Sequence, residues 1–208
     1  MGLDIEKVAN ELTIKWELLT NKLNKKVSES IICRVGGNIR DIEVAAELIS
    51  QELHFSTERL KRRDIESSRA LIKLLTLIKA HYFFIRSLQD NLNFLLRESD
   101  PELQSKTKIK SMGSCHNKSE DPLHKKISTN FPQYFPWFMH MRMHRNSMKN
   151  GVPSTGGSYT TTGDNIEDIA VVYHVLSQSS TYIPIEIKIR DIIESVEMSS
   201  KLLDLLEK

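Results

Sequence analysis

The sequence has few of the residues that stabilise small secreted proteins or that cross membranes. Only two cysteines, Cys33 and Cys115, occur in 208 residues, and they form no CxxC pair. The chain therefore indicates neither a disulfide framework nor a cysteine zinc site, and a reducing, cytoplasmic setting is expected. No run of about 18 apolar residues is present and the N-terminal stretch is charged, so no membrane association is expected.

A strong charge of either sign is also missing. The net charge is +2, from 29 Lys and Arg against 27 Asp and Glu, which permits a nucleic-acid partner without requiring one. Charged residues make up 27% and apolar residues 39% of the chain, a balance typical of globular proteins. The glycine pairs Gly36-Gly37 and Gly156-Gly157 lack the phosphate-loop pattern and predict turns.

Apolar residues spaced by three and four predict three amphipathic helices in the first hundred residues. The first helix is expected to end before Gly36-Gly37, and Ser56 or Thr57 is expected to cap the third. The predicted helices cover, in order, residues 5–27, 39–53 and 60–96.

The remainder of the chain changes character. Residues 101–130 lose apolar periodicity and gather Ser, Lys, Asn and Pro, so they predict a loop or linker. The predicted fold class is α+β or α/β. A helical region in residues 1–100 precedes this linker, and residues 131–208 form a small mixed region with a β-hairpin and a terminal helix.

The clearest strand signal is TYIPIEIKI, residues 181–189. Its isoleucines fall on alternate positions and predict one face towards the core, which leaves Glu186 and Lys188 side by side on the other face. The β-formers of residues 166–176 favour a strand, although Asp164 and Glu167 also resemble a helix capping box. We favour a β-hairpin of the two segments.

The register of this hairpin decides whether Asp168 joins Glu186 and Lys188. Opposed residues of an antiparallel pair share a face, so Asp168 shares theirs only if the connecting loop has an odd number of residues. A four-residue loop, Ser177 to Ser180, would instead turn Asp168 towards the isoleucine face. A bulge, or a role for Asp164, would then be needed.

Two carboxylates and a lysine on one face suit the hydrolysis of phosphodiesters. Carboxylate oxygens bind a hard divalent cation such as magnesium, and an adjacent lysine can orient or deprotonate the attacking water. The alternative interpretation is a half-buried strand on which Glu186 and Lys188 are simply solvated.

Residues 160–205 resemble the PD-(D/E)xK nuclease superfamily, which includes many restriction endonucleases. The resemblance lies in Asp168, a hydrophobic strand, a turn, and the Ile185 to Lys188 segment that runs into an amphipathic helix. It implies that Asp168 and Glu186 are Mg²⁺ ligands and that Lys188 is the catalytic lysine. A helix often supplies a third carboxylate in this class, and the candidates are Glu52, Glu58 and Glu66.

Residues 134–150 carry two further patterns. His140 and His144 lie one helical turn apart, but the absence of an HExxH glutamate favours a surface helix over a metal site. Arg142, Arg145 and Lys149 follow several aromatic residues and predict either contacts with nucleic-acid phosphates or a solvated basic face.

The leading hypothesis is a cytoplasmic, magnesium-dependent DNA endonuclease. DNA is the expected partner, and a homodimer is compatible with the sequence. The alternative is a non-enzymatic helical interaction or assembly protein, whose amphipathic surfaces bind a partner and whose hairpin has no catalytic site.

Overall fold

The fold is described by a computed structural model that covers residues 4–23, 26–60, 65–103, 109–150, 152–162, 165–176 and 182–207. In these residues the chain forms seven α-helices and one antiparallel sheet of three strands, in the order β1-β2-β3. The helices are α1 (Ile5–Leu23), α2 (Glu29–Leu60), α3 (Ile65–Ser99), α4 (Met112–His116), α5 (Pro122–Asn130), α6 (Tyr134–Asn150) and α7 (Ile189–Leu203). The strands are β1 (Val152–Thr162), β2 (Asn165–Leu176) and β3 (Tyr182–Lys188).

This architecture is a helix-dominated α+β layout, as predicted in its coarse form. The three described strands pair antiparallel in a meander, and a parallel sheet of the α/β type is not found among them. None of the helices in the described part of the chain combines the length and apolarity that a membrane crossing requires.

The glycine pair at 36 and 37 lies inside α2, so the prediction of a turn there is wrong. Trp16 of α1 packs against Gly36, and its Nε1 lies 3.0 Å from the point where a Cβ would sit. Glycine costs up to about 1 kcal/mol in a helix interior, but here it lets two helices approach closely. The predicted caps Ser56 and Thr57 also lie within α2, which runs to Leu60.

The segment 101–130, predicted as a loop or linker, contains a 3-10 turn (Pro101–Leu103) and helices α4 and α5. Side-chain caps start both helices: Ser111 accepts the Ser114 N–H, and Asp121 accepts the Leu123 N–H. Helices of 5 and 9 residues are too short to show an apolar period, which is why the sequence pattern suggested a loop.

A buried ion pair holds this segment against the end of α3. The Arg97 Nη2 donates to Asp121 Oδ1 at 2.7 Å, its Nη1 donates to the Leu103 carbonyl at 3.0 Å, and its Nε donates to Asn93 Oδ1 at 3.2 Å. Breaking such a pair leaves an uncompensated buried charge, at a cost of about 3–5 kcal/mol. The segment is therefore attached to the helical layer through specific bonds.

One hydrophobic core joins the regions predicted as separate. Apolar residues from Ile5 of α1 to Leu205 beyond α7 belong to a single buried cluster. Lys15 of α1 reaches across to α7, where its Nζ donates to the Ser200 carbonyl at 2.9 Å and pairs with Asp204. The first and last helices are thus neighbours in the fold.

A row of buried polar side chains, which we call the α3–α7 polar seam, crosses this core. It consists of His81, Gln89, Tyr134, Ser195 and Ser199, all fully buried. His81 Nε2 lies 3.0 Å from Ser195 Oγ, Gln89 Nε2 donates to Ser199 Oγ at 2.7 Å, and the Tyr134 hydroxyl donates to Gln89 Oε1. Because unpaired buried polar groups are costly, these bonds fix the register of α7 on α3.

Two buried histidines make stability depend on pH. Burial lowers the pKa of His81 to about 3, and burial together with the charge of His140 lowers that of His144 to about 4, from an ordinary 6.5. Each folded-state pKa is depressed, so the stabilising contribution is complete above pH 6.5 and is lost as the pH falls towards those values.

We expect the free energy of unfolding to fall by about 2 kcal/mol per histidine between pH 7 and pH 5. Denaturant unfolding at pH 7 and at pH 5 measures this difference in the free energy of unfolding. His81→Gln should lower stability at pH 7 but remove about half of the pH-dependent loss. An equal loss in His81→Gln and the unmodified protein would contradict the assignment.

Candidate functional site

The predicted hairpin is confirmed as a strand pair, and its register has the parity that the site requires. Residues 166–176 lie within β2, and Leu176 pairs with Tyr182, so the connection between the strands has five residues, 177–181. Val172 pairs with Glu186 and Ala170 with Lys188. Position 168 belongs to the same alternating series as 170 and 172, which is the series opposite Glu186 and Lys188.

The three predicted catalytic residues are spread along the ladder. Position 168 lies two residues beyond the partner of Lys188 and four beyond the partner of Glu186. At about 3.4 Å per residue, these offsets correspond to roughly 7 Å and roughly 14 Å along a regular strand. The ladder thus brings Glu186 and Lys188 together and places position 168 nearer to the lysine than to the glutamate.

A β-bulge directly precedes position 168. Thr160 pairs with Asp168 and Thr161 with Ile166, so Glu167 has no partner of its own on β1. Bulges bend a strand and re-aim neighbouring side chains, and they occur frequently beside active sites. The departure from a regular ladder therefore falls beside Asp168, whose side chain lies outside the described residues. Asp164, the other acid considered, lies outside the described residues.

Glu186 and Lys188 are exposed, while the isoleucine face differs from the prediction in one respect. Ile187 and Ile189 are fully buried, but Ile183 is 51% exposed because the turn end of β3 extends beyond the core. Lys188 also begins α7, where its backbone N–H donates to Asp191 Oδ2 at 2.9 Å. The Lys188 side chain therefore stands at the junction of strand and helix.

The described residues contain no group of three or more His, Cys, Asp or Glu side chains arranged to hold a metal ion. Of the candidate third carboxylates, Glu52 is buried and pairs with Lys73, which links α2 to α3. The side chains of Glu58 and Glu66 lie outside the described residues. Glu186 is an exposed carboxylate of the hairpin.

The two histidines of α6 bond to each other. Their Nε2 atoms lie 3.0 Å apart, and the rings meet edge to face. His144 is buried, and burial together with the charge of His140 lowers its pKa to about 4. The sequence predicted a surface or interface helix here, and the helix has His140 exposed and His144 buried.

A basic surface follows α6. Helix α6 contains no Asp or Glu. The longer stretch 122–163 carries five Lys or Arg and no acid, so the remaining residues of the chain together have a net charge of −3. Arg142, Arg145 and Lys149 recur at intervals of three and four residues and so lie along one flank of the helix. Both arginines are half-buried and Lys149 is exposed. We call these three residues the α6 basic flank.

Aromatic rings of α3 and α6 support the arginines. The Arg145 guanidinium lies 5.0 Å from the centroid of Phe83, and its Nη1 donates to Asn146 Oδ1 at 3.0 Å. On α3, the Arg86 guanidinium lies 5.3 Å from the centroid of Phe138. Stacking on a ring holds a planar guanidinium in place while its outer N–H groups stay available.

Sequence reasoning missed Arg86 as part of this basic surface. Its neighbours along α3 give no basic run, and it meets Arg142 only because α3 and α6 pack together. Gly113, which both guanidinium groups approach, was likewise treated as part of a loop. The signal in the sequence that could have pointed to this surface is the long acid-free stretch around α6.

Comparisons of the chain with protein-family models, with curated proteins and with solved structures find no match.

Proposed function

We propose that this protein binds DNA through the α6 basic flank. The observation that carries the proposal is the concentration of Arg142, Arg145 and Lys149 on one flank of a helix that has no acidic residue. The net charge of the chain is only +2, so the positive charge is local rather than general. Lysine and arginine side chains at this spacing can follow a phosphate backbone. DNA as the ligand also agrees with the expected cytoplasmic location.

The partial burial of the two arginines favours recognition over a purely solvated role. Arg145 is held over the Phe83 ring, so it loses less conformational freedom on contacting a phosphate than a fully mobile lysine does. The flexible Lys149 extends the same flank into solvent. Such a surface contacts backbone phosphates and carries no sequence information by itself, so the proposed binding is largely independent of DNA sequence.

The charge-removal variant Arg142→Gln/Arg145→Gln/Lys149→Gln should weaken binding to a fluorescent DNA duplex by at least roughly tenfold at low salt. The slope of log K against log salt should become shallower by about 2–3, because fewer counterions are released. Fluorescence anisotropy over a salt series measures both quantities, and a thermal melt checks that the variant folds.

The matched control is Lys7→Gln/Lys22→Gln/Arg40→Gln, which removes the same charge from exposed positions of α1 and α2. It should retain the affinity and the slope of the unmodified protein. Equal losses in the two triple variants would show that only net charge matters and would overturn the proposal. Absence of DNA binding by the unmodified protein would instead favour the interaction protein, for which Ile14 and Leu18, 49% and 66% exposed on α1, are docking candidates.

A second candidate function is magnesium-dependent cleavage of the bound DNA at the hairpin. The odd, five-residue connection favours it, because this parity assigns position 168 to the series that faces Glu186 and Lys188. Bound magnesium would supply charge neutralisation at the phosphate and would be held by Glu186 together with waters and phosphate oxygens, because position 168 lies roughly 14 Å along the ladder from the partner of Glu186. The Lys188 ammonium would orient the attacking water and offset charge on the phosphate oxygens.

For cleavage, we expect Lys188→Ala to abolish magnesium-dependent nicking of supercoiled plasmid, since the variant removes the positive group beside the phosphate. The backbone bond from residue 188 to Asp191 survives this change, so α7 should start normally. Arg190→Ala is the matched control, because Arg190 is an exposed cation two residues away on α7. Nicking that persists in Lys188→Ala, or that EDTA does not stop, would remove the hairpin from the mechanism.

A further inference from the structure

Two arginines from different helices converge over Gly113 of α4. Arg86 of α3 and Arg142 of α6 each place a guanidinium nitrogen 3.5 Å from the point at which a Cβ on Gly113 would sit. The two nitrogens are therefore separated by no more than twice that distance. Gly113 is buried and has no side chain, so it leaves room for about one methyl group beside the two guanidinium groups.

The charge of this cluster is only partly balanced. The Arg86 Nη1 pairs with Asp90 Oδ1 at 2.5 Å, and the same oxygen accepts the Met112 N–H at 2.8 Å. Across the part of the chain that the structure describes, no hydrogen bond or ion pair joins Arg142 to another residue. The described carboxylate Asp90 thus pairs with Arg86 and not with Arg142, and partly desolvated charge is costly unless an opposite charge compensates it.

A histidine and a serine lie beside the two arginines. His116 interacts with Arg142, and burial together with the charges of His124 and Arg142 lowers the pKa of His116. The Ser111 hydroxyl lies 3.8 Å from the same point over Gly113 and bonds to the Ser114 hydroxyl. Two arginine nitrogens and a serine hydroxyl are therefore the groups nearest to this point, and their chemistry suits an anion with several acceptor oxygens.

We propose that a phosphate group binds over Gly113, between Arg86 and Arg142. One phosphate can accept hydrogen bonds from both guanidinium groups at once, at about 2.7–2.9 Å each. The group can belong to a DNA backbone or to a free phosphate compound. Because Arg142 also belongs to the α6 basic flank, the inference rests in part on the proposed DNA binding and would give that surface a defined anchoring point.

Gly113→Ala tests the site without removing a charge. The added methyl lies at ordinary contact distance from both guanidinium groups, so it fills the room beside them, and alanine is a better helix former than glycine. The matched control is Gly37→Ala, because a Cβ at that helical glycine meets nothing within 4 Å. A second variant, Arg142→Gln, removes one of the two donors.

The probe is inorganic phosphate, titrated by calorimetry and by thermal unfolding against chloride at constant ionic strength. The unmodified protein and Gly37→Ala should bind phosphate and melt at a higher temperature in its presence. Gly113→Ala and Arg142→Gln should each bind at least about tenfold more weakly. Failure of phosphate to bind the unmodified protein, or equal binding by Gly113→Ala, would overturn the site.

A parallel titration of the same proteins with duplex DNA identifies the source of the phosphate. It also separates this inference from the proposed function. If Gly113→Ala loses both phosphate and duplex affinity, the site takes a backbone phosphate. If Gly113→Ala loses phosphate affinity alone, the site takes a free phosphate compound. The site also takes a free phosphate compound if the unmodified protein binds phosphate but no DNA. DNA binding that depends on the α6 basic flank, without any phosphate binding, would overturn the Gly113 site and leave the proposed function standing.

Discussion

The α3–α7 polar seam is the constraint on which the rest of the structure depends. Hydrophobic contacts hold α7 against the core, but they allow sliding by small steps, since one apolar side chain can replace another. The hydrogen bonds of His81 with Ser195 and of Gln89 with Ser199 permit one register only, because any shift leaves buried polar groups unpaired. The start of α7 is therefore fixed, and with it the end of β3 at Lys188.

The same seam connects the sheet to the basic surface. The Tyr134 hydroxyl at the start of α6 donates a hydrogen bond to Gln89 of α3, which aligns α6 on α3. The same Gln89 side chain donates to Ser199 of α7. Arg142, which lies on one flank of α6, is thereby brought close to Arg86 of α3. The hairpin face and the α6 basic flank thus take their positions from one buried network, although they lie on different elements of the chain.

Much of the fold could be predicted from local sequence, and the misses have a common physical cause. The apolar stripe of α1 and the alternation in β3 are local patterns, and both elements are found as predicted. Gly36 inside α2 could not be predicted, because its role depends on the distant Trp16. Helices α4 and α5 were missed because their stability comes from caps and from the ion pair of Arg97 with Asp121.

The candidate sites also combine features that local sequence predicts with features that only the folded structure sets. Parity along a strand is a local property, so the sequence could predict the face of Glu186 and Lys188 and the condition for position 168 to share it, but it left open whether the connection is odd, as the structure has it. The number of ladder steps between the two acids depends on where β2 and β3 pair, which only the fold sets. The meeting of Arg86 with Arg142 depends on helix packing alone. A charge-balanced chain can therefore hold a concentrated positive site, because folding brings cations together that the sequence keeps 56 residues apart.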